Sequence, residues 1–494
     1  MIVGYAIPAV QKFQGAAYKS LYYQALENSK ADGATPDDNP CLIARGDELY
    51  RAGGGAVPSV LIVPQFVKPG AVYTQIPTPT VEAGDFDQFT FTRATTATRV
   101  NASGLIESVA SGLLRLDYPI GGGCPAALIE PSAQNLAWHS QTWAAATNWF
   151  LTNTTTATGT TGTLDPLGTN TANALSPTAV SGSHFVASNI STTVSYTSGT
   201  IYTQSAFFKQ GTGSAGRYVQ LTLPAVIFTQ LGYANFDLQL GTVTVVSGTS
   251  ADTNRAASIE NYGNGWYRCR FTATCNTTNT GVGVIPVLIT ASGDVRVPLF
   301  TGVTGDVLYG WGAQLETGAI PTSYIPTTTA SATRNADVCS VSGVSGYIGQ
   351  TEGTLYAEVD VRNLGYNGAL ITLQTDNWIT NSIRIEKSVG NQWRIAIRVA
   401  SVSILNVDIG TITAGIYKFA LGYNTSASGT VLAVNGSILT TQTASSIPAC
   451  SSVVLGSRNE TGTFGIHLND RLRAAAIYTT RLTNDQLANL TRLT

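Results

Sequence analysis

From residue 354 onward the side chains alternate in character with a period of two, and this pattern constrains the fold more than any other feature of the chain. In 354–362, Leu355, Ala357, Val359 and Val361 interleave with Tyr356, Glu358, Asp360 and Arg362. Trp393, Ile395, Ile397 and Val399 alternate with Arg394 and Arg398, and Tyr417, Phe419, Leu421 and Tyr423 repeat the spacing. Successive side chains of a strand point to opposite faces, so each run predicts a strand with one apolar face. Asn435-Gly436 between two such runs suits the two positive-φ positions of a two-residue hairpin. Strands at roughly 8–12-residue spacing predict two antiparallel sheets packed face to face. Thr483, the acid Asp485 and the apolar pair Leu487 and Leu490 predict a short capped helix closing the chain.

The remaining sequence is also strand-like, except near its start. Val10, Phe13, Ala17, Leu21 and Ala25 fall on one face of a helix over about 9–30. A strand is expected at 60–63, followed by a Pro- and Thr-rich linker at 69–80. Phe86, Phe89 and Phe91 and the run 219–223 then indicate strands, 152–162 a Thr/Gly-rich loop or edge, and 321–337 an extended polar passage. The expected fold class is all-β: tandem antiparallel β-sandwich, jelly-roll-like modules behind a small mixed N-terminal region with one long helix. The expected divisions are 1–80, 81–337 and 338–494, and the fragment 340–494 is expected to fold alone. A chain of 494 residues is long enough for several such cores.

Charge excludes some partners. Charged residues make up 11% of the chain, 27 basic against 29 acidic, for a net charge of -2. That balance offers no electrostatic footprint for nucleic acid or an anionic membrane. The N-terminus lacks the basic-then-apolar order of a secretory signal, and no apolar run is long enough to span a bilayer, so a soluble, non-secreted chain is expected. Six scattered cysteines and three histidines do not form a zinc signature, and Cys269 and Cys275 are expected to be buried thiols.

No catalytic constellation emerges. Glu358 and Asp360 share a strand face, but beside Arg362 they are expected to be ordinary acids on a solvated sheet. Glu130 and Glu316 lie in apolar sequence and are expected to bind backbone amides or arginine. His139, His184 and His467 have no nucleophile-elbow serine nearby, and Gly263-Asn-Gly is a turn rather than a phosphate loop. Asn469 and Asp470 are too few for a calcium site. Neither metal nor cofactor is expected. Binding a sugar needs an aromatic face and polar groups to hold hydroxyls. Asp376, Asn377 and Trp378 in one polar loop, with Arg458 and Asn459 in another, are the candidate carbohydrate-binding residues. Trp266 and Trp311 are expected in cores.

Several segments resemble phage virion-surface proteins with a carbohydrate-binding-like module. They are 91–107 (Phe-Thr-Arg-Ala-Thr-Thr-Ala-Thr-Arg), Leu114-Arg-Leu-Asp-Tyr118, Ala127-Leu-Ile-Glu-Pro131, Gly263-Asn-Gly-Trp-Tyr-Arg268, Tyr309-Gly-Trp-Gly-Ala-Gln-Leu-Glu316 and Thr333-Arg-Asn-Ala-Asp337. Where those relatives carry Gln-Arg-Thr-Asn-Leu after Glu-Pro, this chain has Ser132, Ala133 and Gln134, so the role of that arginine does not transfer. The last block resembles laminin-G/concanavalin-A-like lectin domains through Val434-Asn-Gly-Ser, Val453-Val-Leu-Gly-Ser-Arg458 and 472–487. These resemblances imply a non-enzymatic tail-fibre, spike or head-fibre subunit, assembled in the host cytoplasm and displayed on the virion. It would adhere to host surface glycans and join other virion proteins. A homotrimer held chiefly through the N-terminal region is expected also because the amphipathic helix over 9–30, followed by the Pro-rich linker, can bury its apolar stripe only against something else. The competing readings are a purely structural decoration or collar protein and a polysaccharide depolymerase.

Overall fold

The computed structural model describes residues 49, 52–56, 59–62, 67–68, 71–73, 88–144, 148–159, 162–189, 193–388 and 390–493. The helix expected over 9–30, and with it the motive for a trimer, lies outside them.

The alternating C-terminal block forms two facing antiparallel sheets. Sheet A runs Ser437–Gln442, Thr430–Val434, Gly415–Tyr423, Gly353–Val361, Asp470–Tyr478, Ala126–Ile129 and Arg115–Asp117, with Val60–Ile62 also pairing to Asp470–Tyr478. Sheet B runs Val67–Lys68, Ala71–Tyr73, Gln88–Thr92, Val338–Ser342, Ser452–Leu455, Gly368–Gln374, Ser382–Lys387, Trp393–Val399 and Val402–Ile409. Leu355, Ala357, Val359 and Val361 from sheet A meet Ile383, Ile385, Trp393, Ile395 and Ile397 from sheet B in one buried core. The hairpin turn is as expected, with Asn435 at φ 48° and Gly436 at φ 87°. The terminal helix, Asn484–Leu490, has a reciprocal capping box between Thr483 and Gln486.

That helix changes the reading of Glu358. Leu487 and Leu490 pack with Tyr356, Ala420, Ala474, Ala476 and Tyr478 over the outer face of sheet A. The face expected to be solvated is therefore covered, and Glu358 is 1% exposed. It is ion-paired with Arg473 at 2.7 Å, while Asp360 pairs with Arg362 at 3.0 Å. Two carboxylates each held by an arginine are not poised as acid and base.

A second sandwich is inserted into the first. Sheet C runs Trp149–Thr152, Phe185–Ser188, Ile285–Ile289, Tyr218–Thr222, Tyr233–Asp237 and Thr242–Ser247. Sheet D runs Thr154–Thr158, Asn173–Pro177, Val307–Thr317, Ile201–Thr212, Trp266–Thr274 and Ala256–Asn261. Trp143, Trp149, Phe208, Phe236, Phe271 and Leu315 belong to the core between them. The Thr-rich run is an edge strand, and Trp266 and Trp311 are buried at 1% and 0% exposure. Cys269, Cys275, Cys339 and Cys450 are buried free thiols.

The sheets do not divide at residues 80 and 337. Gln88–Thr92 and Ala126–Ile129 pair with strands from the C-terminal block, and Arg115–Asp117 joins the same sheet through Ala126–Ile129, so the inserted sandwich interrupts the terminal one. Ala71–Tyr73, inside the expected linker, pairs with Gln88–Thr92. The fragment 340–494 thus leaves out strands that its own sheets use, including the partner of Asp470–Leu472.

The two points where the chain leaves and re-enters the terminal sandwich are joined by a buried ionic network. Arg93 donates to Asp337 at 2.9 Å, and Arg115 bonds both Asp337 and Glu130, the latter at 2.7 Å. Arg334 lies 3.5 Å from Glu130 and 3.8 Å from Asp337. The Glu130 N–H donates to Asp337, and Ser323 donates to Glu130 from both its N–H and its hydroxyl. Burial alone would raise the Glu130 carboxyl, but Arg334, Arg115 and the Ser323 bond hold it well below the usual carboxylate range.

His467 borders this network, 4% exposed, bonded to the Asp337 backbone with its Nε2 unpaired among the described residues. Desolvation is the largest influence and lowers its pKa to about 4; Arg334 also lowers it, while Asp337 and Glu460 oppose the shift. With the folded value below the unfolded one, the unfolded chain takes up the proton first. The stabilisation is complete above about pH 6.5 and fades as pH falls towards 4. Urea denaturation at about pH 7 and about pH 4.5 should show His467→Gln losing on the order of 2 kcal/mol less stability than the parent over that interval. Equal losses in the two proteins would contradict this.

Candidate functional site

Strand Ser382–Lys387 sends Ile383 and Ile385 into the core and leaves Ser382, Arg384 and Glu386 on the outer face of sheet B. Over that face lie the two loops singled out from sequence. Asn377 folds the first by accepting from the N–H groups of Ile379 and Thr380, both at 3.0 Å. Asn459 of the second loop donates through Nδ2 to the Asp376 carbonyl at 2.9 Å, and its own carbonyl accepts from the Trp378 N–H at 3.1 Å. Asp376, Asn377, Trp378, Arg458 and Asn459 are therefore brought together by backbone bonds between the loops.

The indole of Trp378 is half-buried and covered by cations. The guanidinium carbons of Arg458, Arg384 and Arg398 lie 3.9, 4.4 and 5.5 Å from its ring centroid. Arg384 and Arg458 both donate to Glu386 Oε1 at 2.9 Å, Arg458 also reaches Glu460, and Arg398 donates to the Ile379 carbonyl. Burial, the largest influence on Arg384, pulls its pKa down, and Glu386 opposes it. The ring is thus a rigid cap on a cluster of like charges, fixed by cation–π attraction. The Asp376 carboxylate stays exposed at the rim, and the indole Nε1 is buried without a partner among the described residues.

Arg384, Glu386 and Arg398 were missed from sequence, although the alternation that put Ile383 and Ile385 inside also put Ser382, Arg384 and Glu386 together outside. The other acids considered earlier are occupied. Glu316 accepts from the Thr322 hydroxyl at 2.6 Å and from Gln314, and Asp470 pairs with Lys387 while accepting from the Arg362 and Asn363 N–H groups. Among the described residues no group of three or more His, Cys, Asp or Glu is placed to hold a metal ion.

No protein-family model and no curated protein sequence matches the chain. Solved structures do. The CBM40 of Ruminococcus gnavus IT-sialidase, solved bound to alpha2,3 sialyllactose, aligns at TM-score 0.27 and 15% identity, over 29% of this chain and 84% of that one. The leech intramolecular trans-sialidase aligns at TM-score 0.27 and 16% identity, over 29% of this chain and 24% of its own. The heptameric SAP-like pentraxin of Limulus polyphemus gives 0.23 and 15%, over 28% and 68%.

Removing the indole leaves three guanidinium groups without their shared π face. Trp378→Ala should cost roughly 2 kcal/mol or more, read as a lower urea midpoint. An unchanged midpoint would show that the ring does not cap the cluster.

Proposed function

We propose that the chain is a non-catalytic β-sandwich protein of a phage virion surface, whose terminal sandwich displays a weak binding site for host surface glycans. The observation that carries the glycan reading is the convergence of loops 376–378 and 458–459. It sets a half-buried, immobilised indole, flanked by arginines, beside the exposed Asp376. Preorganisation of this kind lowers the entropy a ligand must give up, and an aromatic ring with polar neighbours suits a pyranose. Placement on a virion, among fibre, spike or head-fibre subunits, is supported by the sequence resemblance over 91–337. Homotrimerisation and attachment to other virion proteins through the N-terminal region are supported by the apolar stripe of 9–30 ahead of a Pro-rich linker. Low charge supports a partner that is neither nucleic acid nor membrane.

One observation favours the purely structural alternative: three guanidinium groups already occupy the Trp378 ring. The two readings separate on a glycan array. The full chain, presented multivalently because single sites of this type are weak, should bind a subset of host glycans. Asp376→Ala, an exposed change that leaves the indole cap in place, should reduce that signal by about tenfold or more with an unchanged melting temperature, since one direct hydrogen bond to a charged group is worth about that much. No binding above background for the parent protein would leave the decoration or collar reading standing.

A further inference from the structure

A cavity of about 290 Å³ lies where the outer face of sheet D meets the end of sheet A, and none of the loop residues discussed above lines it. Strand Trp266–Thr274 forms its floor. Cys269, Phe271 and Ala273 enter the core of the inserted sandwich, which turns Arg268 and Arg270 to the other face. The neighbouring strand Ala256–Asn261 sets Ser258 opposite Arg270 and Glu260 opposite Arg268. The walls come from the 97–109 hairpin, the ends of sheet A and the strap 321–324. Ser258, Arg270 and Ser323 are half-buried and Ala414 is exposed, so the cavity opens to solvent at its rim.

The charges lining it do not cancel. Three carboxylates face the space, and each already has an arginine: Asp117 bonds Arg471 at 2.5 Å, Glu260 bonds Arg362 at 2.8 Å, and Glu130 belongs to the buried network. Arg99 is neutralised by Glu107 at 2.6 Å. Arg268 and Arg270 are left over. Arg268 donates to the Thr322 carbonyl at 2.8 Å and the Ser205 hydroxyl at 3.0 Å, both neutral, and its buried Nε has no partner. Arg270 makes no hydrogen bond or ion pair with any described residue. A half-buried guanidinium with no bonded counter-charge is a costly arrangement, and an anion entering from the rim would relieve it. Burial is the main influence on Arg270 and draws its pKa down, against the opposing charges of Glu260 and Asp470.

The ligand class follows from shape and donors. A planar guanidinium matches a carboxylate with two parallel bonds. The volume sits at the lower end of the usual range for ligand pockets, roughly 300–1,000 Å³, which suits one ring rather than a chain. The Ser258 and Tyr262 hydroxyls, neither bonded to a described residue, and the apolar Ile106, Leu128 and Ile259 complete the lining. We propose that this junction cavity binds the carboxylate of a single acidic sugar residue. Arg270 makes the paired contact, Arg268 supports it, and Ser258 and Tyr262 meet ring hydroxyls. The sugar part rests on the glycan reading above, whereas the carboxylate part rests on the cavity alone.

Calorimetric titration of the full chain with glucuronate, glucose and acetate tests both parts. Glucuronate should bind at least about tenfold tighter than glucose or acetate, and Arg270→Gln should weaken it by about tenfold or more. The melting temperature of that variant should hold or rise, because an unneutralised cation has been removed. If the variant does not fold, Arg270→Lys decides: it keeps the charge, loses the fork, and should weaken glucuronate severalfold. Glucuronate no tighter than glucose, or binding indifferent to the Arg270 variants, overturns the proposal. Acetate as tight as glucuronate overturns the sugar assignment. A titration that fails while the parent still binds neutral glycans on the array refutes this cavity and spares the wider reading. An empty array alongside Arg270-dependent glucuronate binding refutes the loop site instead.

Discussion

Arg115 is fully buried and holds both Asp337 and Glu130, and the rest of the architecture depends on that contact. A guanidinium in the interior must be met by charge and hydrogen bonds on most of its donors, or it is prohibitively expensive. Here one acid lies just before the inserted sandwich begins and the other just after it ends, so the insertion can occur only if its two ends come back together. Arg93 and Arg334 extend the arrangement to the Gln88–Thr92 strand and to the returning segment, while Ser323 ties in the strap that crosses the face of sheet D. Three cations on two anions leave the network short of negative charge. The positive bias continues outward into the junction cavity, where the buried Arg268 and half-buried Arg270 have no bonded carboxylate.

The same economy of charge shapes the other end of the terminal sandwich. Arg384, Arg398 and Arg458 crowd one outer face with Glu386 and Glu460 between them, and a tryptophan closes over the cluster. In a chain with so few charged residues, the ones it has are concentrated at the seams: between sheets and caps, between sandwich and insertion, and along the strap. Outside these seams the stabilisation comes from two conventional apolar cores filled by alternating strand residues.

Much of the fold was legible because strand periodicity is a local signal. Leu355, Ala357, Val359 and Val361 name the inner face of their strand without reference to anything else, and Asn435-Gly436 and Thr483 mark a turn and a cap within a few residues. Periodicity does not say which strand is the neighbour. Gln88–Thr92 pairs with Val338–Ser342 across some two hundred and fifty intervening residues, and no local pattern announces it. The insertion was hidden for that reason. Glu358 was misjudged because a polar residue on the outer face was taken to be solvated, when that face is packed over and Arg473 and the Tyr356 hydroxyl meet the carboxylate. The loop residues Asp376, Trp378 and Arg458 were recognisable by type, but Arg384 and Arg398, which also lie over the indole, come from strands that no local pattern ties to those loops. The motifs Thr-Arg, Leu-Arg-Leu-Asp, Ile-Glu-Pro and Arg-Asn-Ala-Asp could be recognised as a set, yet the buried ionic cluster to which they contribute Arg93, Arg115, Glu130, Arg334 and Asp337 is visible only in three dimensions.

The central claim is that this cluster makes the inserted and terminal sandwiches one cooperative structure, and hydrogen exchange on Asp337→Ala addresses it most directly. Removing the carboxylate leaves Arg93 buried without a counter-charge and Arg115 and Arg334 sharing Glu130 alone, at a cost of roughly 3–5 kcal/mol. Amides of Gln88–Thr92, Arg115–Asp117, Ala126–Ile129 and Val338–Ser342 should lose protection together, while those of Trp266–Thr274 in the inserted core keep most of theirs. Uniform exchange indistinguishable from the parent protein would contradict the account.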